Sequence, residues 1–247
     1  MTKLVHPLAA QDVAFYKENG YLLYHNQLFA ADKFTHLQNI FEEHLADKGE
    51  KLSDELDTPH FRDPRLLDFL LSDEVLDLIE PILGPNIFLW SSHFICKDPY
   101  IGRATPWHED SAFWNGRVDT YEKILTVWLA LDRSTRDNGC MQVIPGTHIN
   151  GFSAYEDIDT TTNTFASQIK DVDVTKAVPF ELEPGESSLH DSRIMHGADA
   201  NTSQYRRCGY TMRYMSADTR LIPDRNAGHK IWLARGQDLA GNTYVNA

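Results

Sequence analysis

His108 and Asp110 stand two positions apart in the run Thr105-Pro-Trp-His-Glu-Asp-Ser-Ala-Phe-Trp114, and His108 begins the only His-x-Asp/Glu in the chain. Far downstream come His196 and then Arg207. Two imidazoles and one carboxylate make a facial triad, which leaves the other coordination positions of an Fe(II) ion open for a co-substrate and dioxygen. An arginine shortly after the second histidine offers a planar fork to a carboxylate. A small dicarboxylate suits that pair, with a 2-oxo acid end on the metal and its far carboxylate on the guanidinium. Taken alone, a His-x-Asp is a weak signal among 11 histidines and 36 acidic residues. A surface histidine beside carboxylates is the ordinary case. The joint order of the four residues carries the argument.

These side chains need elements to hold them. In a strand, residues i and i+2 point to one face. His108 and Asp110 are therefore expected on one side of a strand end. His196 shares strand parity with His190 and sits before Gly197, where a strand 187–195 should stop. A turn through Asp199–Ser203 and a returning strand 207–215 would then set Arg207 deeper than His196. Ile124–Leu131 splits into two faces. Leu125, Val127, Leu129 and Leu131 read as core, and Ile124, Thr126, Trp128 and Ala130 form the other side. Asn138-Gly139 is a hairpin signal, followed by strand 140–144 and the stop Pro145-Gly146. Asn86–Lys97 also reads as a strand.

The first third is mainly helical, over 10–19, 30–46 and 73–83, with a short strand at Tyr21–Tyr24. Ser72 is a plausible N-cap of the third helix, Gly84 follows its end, and Pro81 makes its last turn doubtful. Short strands after helices predict a mainly β fold with α: a double-stranded β-helix, or cupin-like jelly roll, flanked by N-terminal helices. The whole of 1–247 reads as a single domain, with a helical flank to about 85, the jelly-roll core over about 86–220 and a tail from 221. The segment 150–178 is polar and long, which marks a lid or a disordered stretch.

A net charge of −13 excludes little about small substrates but disfavours nucleic acid and anionic membrane. No apolar run approaches a membrane span, and the start has no signal-length apolar segment. Cys96, Cys140 and Cys208 form no CxxC pair, and their odd count points to a reducing cytoplasm. Oligomeric state is not encoded in any legible way.

From about Ser91 to Leu221 the chain resembles the phytanoyl-CoA dioxygenase family. The resemblance is dense at Pro106-Trp-His-Glu-Asp110 and from Trp128 through Asn138-Gly-Cys-Met-Gln-Val-Ile-Pro-Gly-Thr-His148. It is dense again from Pro184-Gly-Glu through His196-Gly, Asn201 and Arg207 to Arg213-Tyr-Met-Ser-Ala-Asp218. It implies an Fe(II)- and 2-oxoglutarate-dependent oxygenase that uses O2 and has a double-stranded β-helix. Within it, His108, Asp110 and His196 are expected as metal ligands, and Arg207, rather than its neighbour Arg206, as the anchor of the co-substrate's far carboxylate. Positions matching Thr126 and Trp128 line the co-substrate pocket. Relatives often carry Ser where this chain has Ala198, so one co-substrate hydrogen bond is expected to be missing or supplied by Thr126.

The resemblance implies hydroxylation of an unactivated C–H bond with release of succinate and CO2. A small soluble metabolite is preferred over a coenzyme A thioester, because the acidic chain lacks an evident phosphate-binding patch. Substrate contacts are expected at His93, Phe113, Trp114 and Arg213. Lys97 reads as a solvated strand end, and Tyr100 and Arg103 as part of a loop entering the site. Two rival readings are a non-oxidative metal-dependent cupin enzyme and a silent metal-binding module. The first would need no 2-oxoglutarate, and the second has no reason to keep all four residues.

Overall fold

The computed structural model of the chain describes residues 7–245. The helical flank comprises α1 (Ala10–Asn19), α2 (Ala31–Ala46), the one-turn α3 (Leu67–Leu70) and α4 (Asp73–Leu83). In α2, Phe34, Leu37, Ile40 and Phe41 are buried at helical spacing. In α4, Val75, Leu76, Leu78, Ile79 and Leu83 are buried. Burying each such side chain is worth roughly 1.5–3 kcal/mol. Pro81 lies inside α4 without ending it. Ser72 sits at the N-cap position, but its hydroxyl donates back to the Phe69 carbonyl at 2.8 Å instead of capping the helix.

Thirteen short strands among the described residues follow the chain. They are β1 (Tyr21–Tyr24), β2 (Leu56–Asp57), β3 (Ile87–Lys97), β4 (Thr105–His108), β5 (Ile124–Ala130), β6 (Met141–Val143) and β7 (Tyr155–Asp157). Then come β8 (Ser167–Ile169), β9 (Val178–Pro179), β10 (Ser187–Asp191), β11 (His196–Ala198), β12 (Arg207–Ser216) and β13 (Trp232–Arg235). A one-turn helix, α5 (Asp110–Phe113), follows β4 directly.

The major sheet runs β1-β10-β5-β12-β3-β13, with β2 beside β3, and the minor sheet runs β4-β11-β6-β9. All their pairings are antiparallel. This is the jelly roll that the strand pattern predicts. The helical flank and the tail are not separate from it, since β1 and β13 form the two ends of the major sheet. The alternation of β5 puts Leu125, Val127 and Leu129 against α2 and α4, where they join the main core. Trp128 and Ala130 face the other way and pack with Met141, Val143, Phe180, Leu182 and Ile194 between the sheets.

Three expectations change. The strand expected over 187–195 stops at Asp191, and a new one begins at His196 in the other sheet. Arg207 therefore returns on the major sheet and does not pair with the His196 strand. Cys96 and Cys208 are not separate thiols: antiparallel β3 and β12 set them directly opposite, and they form a disulfide, leaving Cys140 buried and free. Lys97 is 1% exposed instead of solvated, because its ammonium turns inward onto three carbonyl oxygens.

Candidate active site

His108 and His196 are direct partners across β4 and β11 of the minor sheet, with ring centroids 4.0 Å apart. Each ring has its Nδ1 within hydrogen-bond reach of a backbone carbonyl, Pro106 O at 2.7 Å and Ile194 O at 2.9 Å. A carbonyl can only accept, so each Nδ1 carries a proton and Nε2 is the nitrogen left to ligate. Burial, then the neighbouring His196, pushes His108 down to about 3, so the imidazole is neutral and fit to ligate.

Asp110 reaches the same point by a different route from the one its spacing suggests. The strand ends at His108, and Asp110 opens α5, so strand parity does not present it. α5 is pinned from behind, where Ser111 N donates to Ser192 O at 2.8 Å and the two hydroxyls meet at 2.5 Å. The Asp110 side chain is 8% exposed. Its Oδ1 lies 3.9 Å from His108 Nε2. Its Oδ2 accepts from Thr126 Oγ1 at 3.2 Å and Arg213 Nε at 3.3 Å, and His190 Nε2 stands 4.0 Å away. Burial alone would raise this carboxyl, but the Arg213 guanidinium holds it well below the usual carboxylate range. The donor atoms of His108, Asp110 and His196 all lie within 4.8 Å of one another. Two imidazoles that present Nε2 and an anionic oxygen converging on one point suit a divalent ion of the Fe(II) class.

A cavity of about 570 Å³ opens over this cluster. At one end lies Arg207, 2% exposed. Its Nη2 donates to Gly139 O at 2.7 Å, its guanidinium lies 5.3 Å from the Trp128 ring, and its Nε has no partner. Burial pushes it down to about 10, which still leaves it cationic at neutral pH. Among the described residues no carboxylate lies within 4.0 Å of it. Lys97, its partner across β12 and β3, is spoken for by the carbonyls of Arg103 (2.6 Å), Asp199 (2.8 Å) and Ala198 (3.3 Å). Arg206, the sequence rival, points away and pairs with Asp132 and Glu42.

The other expected residues divide. Trp128 lines the cavity beneath Arg207. Thr126 is absent from the cavity wall and spends its hydroxyl on Asp110, so it does not replace the hydroxyl missing at Ala198. His93 lines the cavity, with Nε2 on the Asp54 carbonyl at 3.0 Å, and burial followed by Arg213 pushes it down to about 4. Phe113 and Trp114 also line it. Phe113 stacks edge-on to His108, and Trp114 lies under Arg213. Arg213 is both a cavity wall and the ion-pair partner of Asp110.

Sequence reasoning missed three parts. His190 stands beside the cluster from β10, with its ring 4.9 Å from His196 across the two sheets, which no spacing along a single strand predicts. Phe165 stacks 4.9 Å from both His108 and Phe113. Glu109, buried between His108 and Asp110 in the chain, accepts from Ser153 Oγ at 2.5 Å and Tyr155 Oη at 2.7 Å. Within 150–178, β7 and β8 pair, and Glu109 ties their ribbon to the loop that carries His108 and Asp110, so this part of the segment forms a strap.

The family model for phytanoyl-CoA dioxygenase matches residues 16–209. The chain belongs to this family. Members of it are dioxygenases that use iron and 2-oxoglutarate, and this enzyme class accounts for a metal cluster and an unpaired arginine in one cavity. The phytanoyl-CoA dioxygenase domain-containing protein 1 homolog of Caenorhabditis elegans is 27% identical over 246 residues, covering 92% of this chain and 84% of that protein. A probable alpha-ketoglutarate-dependent hypophosphite dioxygenase of Stutzerimonas stutzeri is 30% identical over 174 residues, covering 68% of this chain and 59% of that protein. EvdO2 from Micromonospora carbonacea var. aurantiaca, solved in complex with 2-oxoglutarate, superposes with a TM-score of 0.72 at 25% identity, covering 90% of this chain and 96% of that one. Among the described residues no helix is long and apolar enough to cross a membrane.

Proposed function

We propose that this dioxygenase hydroxylates an unactivated C–H bond of a small soluble metabolite in the cytoplasm, with His108, Asp110 and His196 holding Fe(II) and Arg207 holding the far carboxylate of 2-oxoglutarate. The observation that carries the reading is the pairing of two Nε2-free imidazoles and an anionic carboxylate with a buried guanidinium that lacks an anion. A buried, unpaired cation is costly, and a carboxylate brought in by the co-substrate relieves that cost. A non-oxidative cupin reaction needs no 2-oxoglutarate and would have to bring that anion on its own substrate. When bound, iron and 2-oxoglutarate supply an oxidant strong enough for a C–H bond, with succinate and CO2 as by-products.

The chain's own residues position and exclude. Thr126 and Arg213 hold Asp110 Oδ2, which leaves Oδ1 to point at the cluster. Trp128 gives Arg207 a flat platform. Phe113 and Phe165 close over His108 and keep water from the reacting face.

The test is anaerobic addition of Fe(II) and 2-oxoglutarate to metal-free protein. The expected result is a visible charge-transfer band in the wild type that is lost in His196→Ala. A correctly folded, iron-loaded wild type with no band would sink the reading.

A further inference from the structure

The cavity holds a second guanidinium without an anion, at the end opposite Arg207. Six residues of β12 separate Arg207 from Arg213, about 20 Å at ~3.4 Å per residue. Arg117 lies past Arg213, 4.5 Å from the ring centroid of Trp90. Trp90 faces this end because of a bulge. Arg213 pairs with Ser91 and Tyr214 with Leu89, so Trp90 has no cross-strand partner and turns inward together with Ser91.

Arg117 is built into place. Its Nε donates to Asn226 Oδ1 at 2.9 Å. Asn226 Nδ2 donates back to the Arg117 carbonyl at 2.7 Å, and Ile222 N donates to the same carbonyl at 2.9 Å. Among the described residues neither terminal nitrogen has a hydrogen-bond partner, and no carboxylate comes within 4.0 Å. The other cavity arginines outside the co-substrate end are neutralised, Arg103 by Asp54 and Arg213 by Asp110. Asp57 also lines the cavity and its charge reaches Arg117, but it makes no ion pair within 4.0 Å of that guanidinium, its side chain is 65% exposed and it contacts His93 at 3.9 Å, so solvent screens it. Between Arg117 and the metal cluster the walls are Trp114, Phe113 and Phe165.

We propose that Arg117 is the recognition site for an oxyanion, carboxylate or phosphoryl, on the primary substrate. The substrate class is then a small organic acid with an apolar body. Its anion is forked by the free end of Arg117, and the body lies along the aromatic wall with the reacting carbon toward the cluster. This rests on the proposed oxygenase function, but its test needs no turnover.

Trp90 and Trp114 flank the site, so binding is read by tryptophan fluorescence on metal-free protein. The probes are benzoate and phenylphosphonate, with benzamide as the neutral match, titrated into wild type, Arg117→Met and Arg117→Lys. The expected result is saturable quenching by an anion, at least tenfold weaker binding of benzamide, and at least tenfold weaker anion binding by R117M with partial recovery in R117K. Preference for benzoate assigns a carboxylate, and preference for phenylphosphonate a phosphoryl group. Equal affinities for anions and benzamide, unchanged anion affinity in R117M, or no saturable quenching by either anion overturns the proposal. If the anion binds as expected while the anaerobic Fe(II)/2-oxoglutarate band is absent from wild type, the oxygenase reading fails and the anion site stands.

Discussion

Replacing Arg207 by Met tests the co-substrate end most sharply. Among the described residues the guanidinium is the only cation there with donors to spare, since Lys97 is committed to three carbonyls and Arg207 Nε has no partner. A hydrogen bond to a charged group is worth about 1.5–3 kcal/mol, and each ~1.4 kcal/mol is a factor of ten. The dissociation constant for 2-oxoglutarate should therefore rise roughly 10- to 150-fold in titrations of the anaerobic charge-transfer band. Stability should move the opposite way. The free variant no longer buries a poorly partnered cation, so its melting temperature should not fall below wild type. The gain on adding 2-oxoglutarate should collapse: at a concentration 100 times the wild-type constant it is about 2.7 kcal/mol, and a hundredfold weaker site retains about 0.4 kcal/mol. In a chain of this size that is a drop from roughly 5–10 °C to 1–2 °C. A 2-oxo acid without the far carboxylate, 2-oxobutanoate, should bind wild type and variant alike. An unchanged constant for 2-oxoglutarate, or equal weakening of 2-oxobutanoate, would refute the assignment of Arg207 to the far carboxylate.

Three further outcomes follow from other contacts. A Cβ at Gly209 would sit 2.0 Å from Trp128 Cζ2, so Gly209→Ala must displace the indole under Arg207. It should cost roughly 1–3 kcal/mol in thermal unfolding and weaken 2-oxoglutarate binding; wild-type values for both would mean the indole is not fixed there. Tyr155→Phe removes a donor to Glu109 and should loosen the strap by about 1 kcal/mol, seen as faster proteolysis within 150–166 and more succinate released per product formed. Unchanged cleavage would show that the ribbon does not depend on Glu109. His60 is buried with Ser92 Oγ 2.7 Å from its Nδ1, and burial, then His229 and Lys230, pushes it down to about 3. The unfolded chain, near 6.5, takes up the proton first, so this stability is whole above about pH 6.5 and is lost as pH falls from 6.5 toward 3. His60→Asn should flatten the slope of unfolding free energy against pH in that window by up to ~1.4 kcal/mol per unit; an identical slope would place the titration elsewhere.

What could be read from the chain was what depends on local pattern. The β5 alternation and the apolar spacings of α2 and α4 are periodicities, and they placed the core correctly. The cluster of His108, Asp110 and His196 is where residue types and motif order pointed. Most of the failures needed long-range register. Nothing near Cys96 announces Cys208, 112 positions away, until β3 and β12 pair. Lys97 looks like a strand-end cation until the Ala198–Asp199 backbone arrives above it. Phe165 and Tyr155 lie in a polar stretch without periodicity, so their closure over His108 and Glu109 has no local signature. Thr126 had the right face but the wrong partner, because Asp110 is carried by a helical turn that the spacing did not suggest.

The two sheets carry different halves of the chemistry. The histidines of the cluster sit on the minor sheet, at His108 and His196, whereas Arg207, Trp128 and Trp90 belong to the major sheet. Asp110 bridges them, gripped by Thr126 and Arg213 from the opposite jaw. The molecule is in effect a caliper, and its opening is set by the wedge of Val143, Phe180, Leu182 and Ile194 between the jaws. A methylene removed from that wedge touches neither ion nor acid, yet it changes the span a dicarboxylate must bridge. On the proposed assignment, the chain length of the preferred 2-oxo acid would be a property of core volume as much as of the residues that grasp its ends.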